Sequence, residues 1–78
     1  LTSVTDVLAI GDKYYVLEIS TDLSQRLPGR LLRFSSRTAT PQVVAAPIIG
    51  GSGMVYVPKD RAIYVAENFT GRVVRIGL

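Results

Sequence analysis

Apolar and polar residues alternate along this chain in short blocks, and no block keeps a helical period. Runs of four to six aliphatic, β-branched or aromatic residues are bounded by Gly, Pro, Asp and Ser, which is the punctuation of strands and turns. Val4 to Ile10 (VTDVLAI) predicts a first strand, Gly11-Asp12-Lys13 a turn, and Tyr14 to Ile19 (YYVLEI) a second strand. Ser20 to Gly29 is polar, contains Pro-Gly, and reads as the longest loop. Arg30 to Phe34 predicts a third strand, Ser35 to Pro41 a connection, and Gln42 to Ala46 a fourth strand. Pro47 to Gly53, with Gly at 50, 51 and 53, reads as a turn-rich link. The pattern then restarts with Met54 to Val57, the turn Pro58 to Arg61, Ala62 to Glu67, the loop Asn68 to Gly71, and Arg72 to Ile76. Continuous apolar runs without alternation predict strands covered on both faces.

The restart is a repeat. Val7 to Ile10 aligns with Met54 to Val57, Tyr14 to Glu18 with Ile63 to Glu67, and Gly29 to Phe34 with Gly71 to Ile76. Six aligned positions are identical: Tyr15/Tyr64, Val16/Val65, Glu18/Glu67, Gly29/Gly71, Arg30/Arg72 and Arg33/Arg75. The others pair apolar with apolar, Ala9/Tyr56 most loosely. An offset running from 49 down to 42 residues suits four-stranded propeller blades. The expected fold is all-β, with residues 1–47 as one antiparallel blade and 48–78 as a second blade lacking its outer strand. Two uncovered blade faces and open edges would aggregate. Further blades from the same protein, identical copies or another chain are therefore the expected partners, completing a larger or oligomeric propeller.

The second hairpin sets a register. With Asn68 to Gly71 as a four-residue loop, Glu67 lies opposite Arg72 and Tyr64 opposite Arg75. The same register puts Glu18 opposite Arg30 and Tyr15 opposite Arg33 in the first copy. Such cross-strand pairs contribute roughly 0.2–1 kcal/mol each, and a guanidinium over a tyrosine ring adds a cation–π attraction. The alternative makes Glu18 and Glu67 a carboxylate pair for acid–base work. Each glutamate has its own arginine on its own blade, which favours the charge-pair reading. Gly29 and Gly71 precede strands, where a positive φ is expected.

Composition narrows the chemistry. The chain has no Cys and no His, which removes disulfides, Cys/His zinc sites and Ser–His catalysis. A net charge of +3 comes from arginines spread over repeat positions. A nucleic-acid surface needs them clustered among stacking aromatics, so nucleic acid is not an expected partner. No apolar run approaches the roughly 20 residues of a spanning helix, and membrane insertion is not expected. Gly50-Gly51-Ser52-Gly53 lacks the Lys-Ser/Thr of a phosphate loop and the second glycine of a nucleophile elbow.

Ile63-Tyr64-Val65-Ala66-Glu67-Asn68 followed by Gly71-Arg72-Val73-Val74-Arg75-Ile76 resembles the strands of NHL-type and gluconolactonase (regucalcin-like) six-bladed propellers. Tyr15 to Ser20, a polar insert, then Pro28 to Phe34 looks most like the ScyD/ScyE branch of that superfamily. The resemblance implies relatives that include calcium-dependent lactonases and esterases with an axial metal held by Glu, Asn and Asp from several blades. Asn68 is the one position that carries over as a Ca2+ ligand; its alternative is a turn residue at a hairpin corner. The resemblance also leans toward an extracytoplasmic setting.

The leading functional expectation is a scaffold that binds a ligand or protein through its loop face, since loops on rigid frames carry function. Thr21, Asp22, Gln25 and Arg26 of the long insert are the main candidates, with Ser52 and Asn68 beside them. A Ca2+-dependent lactonase- or esterase-like hydrolase and a self-assembling structural half-propeller are the alternatives. This chain alone is expected to be a binding unit more than an enzyme.

Overall fold

The computed structural model describes residues 3–20, 27–36 and 38–78. Their regular elements are the strands β1 (Val4–Ile10), β2 (Lys13–Glu18), β3 (Gly29–Phe34), β4 (Gln42–Ile48), β5 (Gly51–Val57), β6 (Ala62–Glu67) and β7 (Arg72–Gly77), with one 3-10 turn at Pro58–Asp60. No α-helix occurs among the described residues. The strands form two antiparallel sheets, one ordered β1-β2-β3-β4 and the other β5-β6-β7. The link between sheets is shorter than the glycines suggest. β4 runs through Pro47 to Ile48 and β5 starts at Gly51, which leaves Ile49 and Gly50 as the connection. Gly51 and Gly53 pair with Glu67 and Ala66 as strand residues.

The two copies share backbone detail that residue identity does not reveal. β1 shifts register between Val4 and Asp6, and β5 shifts between Gly51 and Gly53 at the equivalent place. Each irregularity leaves a hydroxyl residue over, Thr5 in one and Ser52 in the other. The Thr5 hydroxyl donates to the Leu17 carbonyl at 3.3 Å, and the Ser52 hydroxyl donates to the Ala66 carbonyl at 3.4 Å. Ser3 (φ 52) and Gly50 (φ 65) both adopt left-handed backbone. Their carbonyls accept the N–H groups of Ile19 at 3.0 Å and Asn68 at 2.9 Å. The copies diverge in their turns. Gly11 (φ 60) closes a two-residue turn between Ile10 and Lys13. The 3-10 turn and Arg61 (φ 49) fill four residues between Val57 and Ala62.

Register in the second and third strands is the one expected from the hairpin. Glu18 faces Arg30 and Tyr15 faces Arg33; Glu67 faces Arg72 and Tyr64 faces Arg75.

One core lies between the sheets. The first sheet contributes Tyr15, Leu17, Leu31 and Ile48, flanked by Leu8, Ile10, Val44 and Ala45. The second contributes Ile63, Val65 and Ile76, flanked by Met54, Tyr56 and Val74. The expectation of strands covered on both faces is therefore met only in part. Each sheet has one partner, so Val7, Tyr14 and Val43 remain exposed on the outer face of the first sheet, and Val55 and Val73 on that of the second. Val16 and Leu32 are the buried exceptions on the first outer face.

Gly29 also departs from expectation. Only Gly71 of the pair has a positive φ, at 72°. Gly29 is required by proximity instead: a Cβ there would stand 1.8 Å from the Glu18 carbonyl oxygen.

Candidate functional site at the loop end

The β2–β3 connection, the Ile49–Gly50 link and the β6–β7 hairpin meet at one end of the two sheets. Ile19, Ser20, Leu27, Pro28, Ile49, Gly50 and Phe69 line a cavity of about 500 Å3 there. Phe69 is 76% exposed, yet its ring edges against Gly50, where a Cβ would approach it to 2.6 Å. Its position follows from the tight loop Asn68–Gly71, which Gly71 closes by donating its N–H to the Glu67 carbonyl at 2.9 Å. The Ser20 hydroxyl donates to the Leu27 carbonyl, which joins the two described ends of the long insert. Among the described residues the lining is otherwise apolar, which suits burial of apolar surface.

Glu67 holds this end together. Its side chain is buried, and Oε2 accepts the Ile49 N–H at 2.8 Å. Oε1 accepts the Thr70 hydroxyl at 2.9 Å, Arg72 Nε at 3.0 Å and Arg72 Nη2 at 2.8 Å. The Ile49 N–H, followed by the Arg72 and Thr70 donors, holds the carboxyl below the usual glutamate value against the opposing effect of desolvation. Such a carboxylate stays ionised and already has its protons allotted, which suits a tether between hairpin and link, not a general acid. Glu18 is likewise buried and accepts Arg30 Nε at 2.8 Å. Glu18 and Glu67 thus each meet their own arginine.

The Tyr–Arg pairs sit in register, but the hydrogen bonds of their polar groups run to other residues. The Tyr64 hydroxyl donates to Asp60 Oδ2 at 2.6 Å, and Arg75 Nη2 donates to the Asp60 carbonyl at 3.2 Å. Asp60 therefore links both members of that pair through the 3-10 turn. Arg33 donates to the Gln42 side chain, while Tyr15 is part of the core.

Of the other expected site residues, Thr21, Asp22, Gln25 and Arg26 lie outside the described residues. Ser52 is exposed and bonded within its own sheet. Asn68 stands at the hairpin corner, its N–H bonded to Gly50. Among the described residues no group of three or more His, Cys, Asp or Glu is gathered as a metal would require. Calcium takes about six to eight oxygens, and the carboxylate beside Asn68 is occupied by Ile49, Thr70 and Arg72. The described residues do not assemble a calcium site.

The cavity-lining residues Leu27, Ile49 and Phe69 are not among the polar candidates of the sequence reading. The signal for them is an apolar residue isolated inside a turn segment, as in Asn68-Phe69-Thr70-Gly71. No protein family, curated protein or solved structure matches this chain.

Proposed function

We propose that the chain is a pair of propeller-type blades whose loop end binds an apolar group presented by a ligand or by a partner protein. The observation that carries the binding half is the convergence of three connections on an apolar cavity of about 500 Å3 beside an exposed phenylalanine. That size falls within the range of small-molecule and anchor-residue pockets, and isolated aromatics at a pocket rim are frequent anchors in recognition.

The way the sheets pack supports the blade half. Aligned positions never enter the core from both copies. Tyr15, Leu17 and Leu31 face inward in the first sheet, whereas their equivalents Tyr64, Ala66 and Val73 face outward in the second, with Val73 68% exposed. Ile63, Val65 and Ile76 face inward, whereas Tyr14, Val16 and Phe34 lie on the outer face of the first sheet, opposite to Tyr15 and Leu17 by strand alternation. The front of one copy thus packs on the back of the next, as blades around an axis do. This agrees with the sequence resemblance to NHL- and gluconolactonase-type propellers and to the ScyD/ScyE branch. Such a blade pair would work as a frame, with further blades as its partners.

Indole and toluene serve as probes of the cavity in 1H–15N chemical-shift titrations. The expected outcome is saturable shifts confined to Ile19, Leu27, Ile49, Gly50 and Phe69, weakened at least tenfold by Phe69→Ser. Shifts absent at saturating probe, or centred on the sheet faces instead, would overturn the loop-end reading. Adding Ca2+ to the same samples tests the hydrolase alternative, which requires shifts around Asn68.

A further inference from the structure

At the end of the sheets away from the loop-end cavity, the two copies differ in how they satisfy an equivalent arginine. In the second copy Arg75 Nη2 donates to the Asp60 carbonyl at 3.2 Å, within the 3-10 turn between β5 and β6. The first copy has only Gly11 and Asp12 between β1 and β2, so Arg33, the equivalent of Arg75, meets no such turn. Its side chain donates to the Gln42 side chain instead. Among the described residues no ion pair joins Arg33 to a carboxylate. Lys13 stands where the second copy has Ala62. By strand alternation Lys13 shares the face of Tyr15, and Tyr15 is paired with Arg33. Two cations therefore lie diagonally across adjacent strands on one face, where like charges repel.

Lys13 and Arg33 line a cleft of about 310 Å3 together with Ser35, Thr40 and Gln42. Each of these side chains carries a hydrogen-bond donor, and among the described residues no carboxylate lines the cleft. The β3–β4 connection that brings in Ser35 and Thr40 is braced by the Ala39 N–H, which donates to the Ser36 hydroxyl oxygen at 3.1 Å. Lys13 and Arg33 are both half-buried, so their charges are screened less than in open water. The Asp12 carboxylate lies 3.6 Å from Lys13 Nζ, but its side chain is 90% exposed, and so solvated a pair holds the ammonium weakly. We propose that this cleft binds a phosphate dianion, free or carried by a small ligand. Lys13 and Arg33 are its charge partners, and Ser35, Thr40 and Gln42 its neutral donors. Two positive charges match the dianion, and a guanidinium presents parallel N–H groups to two phosphate oxygens. A carboxylate has one charge and two oxygens, and it would leave a cation and several donors unused. The volume lies at the lower limit of small-ligand sites. The site stands apart from the loop-end cavity and does not depend on it.

Titrations at constant ionic strength and about pH 8, where phosphate is a dianion, test this in 1H–15N spectra. Inorganic phosphate, glycerol 3-phosphate and acetate are the probes, with chloride as the balancing anion. Both phosphates are expected to give saturable shifts at Lys13, Arg33, Ser35, Thr40 and Gln42, and none at Phe69. Lys13→Gln and Arg33→Gln are each expected to weaken binding at least tenfold. Arg75→Gln, the same change at the equivalent position, is expected to leave it unaltered. Acetate is expected to bind at least tenfold more weakly than phosphate. Shifts that follow chloride as well as phosphate overturn the proposal, as does acetate binding as tightly as phosphate. Full affinity retained in Lys13→Gln or in Arg33→Gln overturns it too. Lys13 has a side chain 40% exposed at a strand start, so Lys13→Gln decides the matter should Arg33→Gln not fold. Tighter binding of glycerol 3-phosphate identifies a phosphate monoester as the ligand, tighter inorganic phosphate the free ion, and both support the site.

Discussion

The two sheets carry the same hairpin with the same charged pairs, yet they bury opposite sides of it. Leu31 is fully buried while its counterpart Val73 is 68% exposed. Position in the repeat therefore does not decide which face meets the shared core; position in the stack does. The first sheet turns its front to that core and the second its back, while Val16 and Leu32 on the back of the first sheet are buried as well. A residue type can be shared by both copies only where it tolerates both surroundings. Tyr15 and Tyr64 illustrate the point: a tyrosine is apolar enough for the core at one place, and its hydroxyl finds Asp60 at the other.

The comparison is most easily broken at Leu31 and Val73. Leu31→Ala is expected to cost roughly 2–5 kcal/mol, the usual range for truncating a buried leucine. Val73→Ala is expected to shift stability by no more than about 0.5 kcal/mol in the monomer. Urea midpoints at low protein concentration measure both. Equal losses at the two sites would mean that the sheets do not pack front to back.

The paired glycines sharpen the contrast at a middle scale. Gly29→Ala forces a methyl group against the Glu18 carbonyl and its neighbouring backbone, with a cost at the upper end of the roughly 1–3 kcal/mol seen for overpacking. Gly71→Ala meets nothing within 4 Å, and its cost is the left-handed backbone alone, roughly 1–2 kcal/mol. Asparagine separates the two causes, since it tolerates that backbone far better than alanine does. Gly71→Asn is expected to recover most of the loss and Gly29→Asn none of it. Thermal denaturation of the four variants decides the matter, and recovery at Gly29 would contradict the close approach described above.

The smallest effect concerns Glu67 and appears only in acid. Its folded carboxyl titrates below the usual glutamate value because Ile49, Arg72 and Thr70 donate to the ionised form. The folded state then binds fewer protons than the unfolded state. Its contribution is complete above the unfolded value and is lost as pH falls through the folded one. Stability measured against pH should show this acid limb in the wild type, and Glu67→Gln should flatten it. A side-chain carbon titration that places Glu67 at or above the ordinary glutamate value would remove the proposed tether to Ile49.

Strand order, the repeat and the Glu–Arg register were readable from residues alone. Period-two geometry and a four-residue hairpin loop leave Glu67 no other opposite number than Arg72. The equivalence of Thr5 and Ser52 was not readable, since a threonine and a serine between unlike neighbours carry no signal without the shared irregularity in the strands. The link was overestimated because three glycines look like a turn. Gly51 in fact packs where even a Cβ would lie 3.0 Å from Leu17 Cδ1, so the absence of a side chain there serves sheet packing. The loop-end cavity was equally hidden, as it is assembled from Ile19, Leu27, Ile49 and Phe69 of three separate connections.

By itself, then, the order of residues determined what is local or pairwise: short apolar runs, turns where Gly, Pro and Asp fall, and which side chains lie opposite across a hairpin. Which face of each sheet is inside was a tertiary decision, because both faces are apolar enough to be buried and the choice is made only when one sheet meets another. The cavity and the tether at Glu67 belong to the same class. They depend on loop ends brought together by stacking, at separations along the chain that no local pattern encodes.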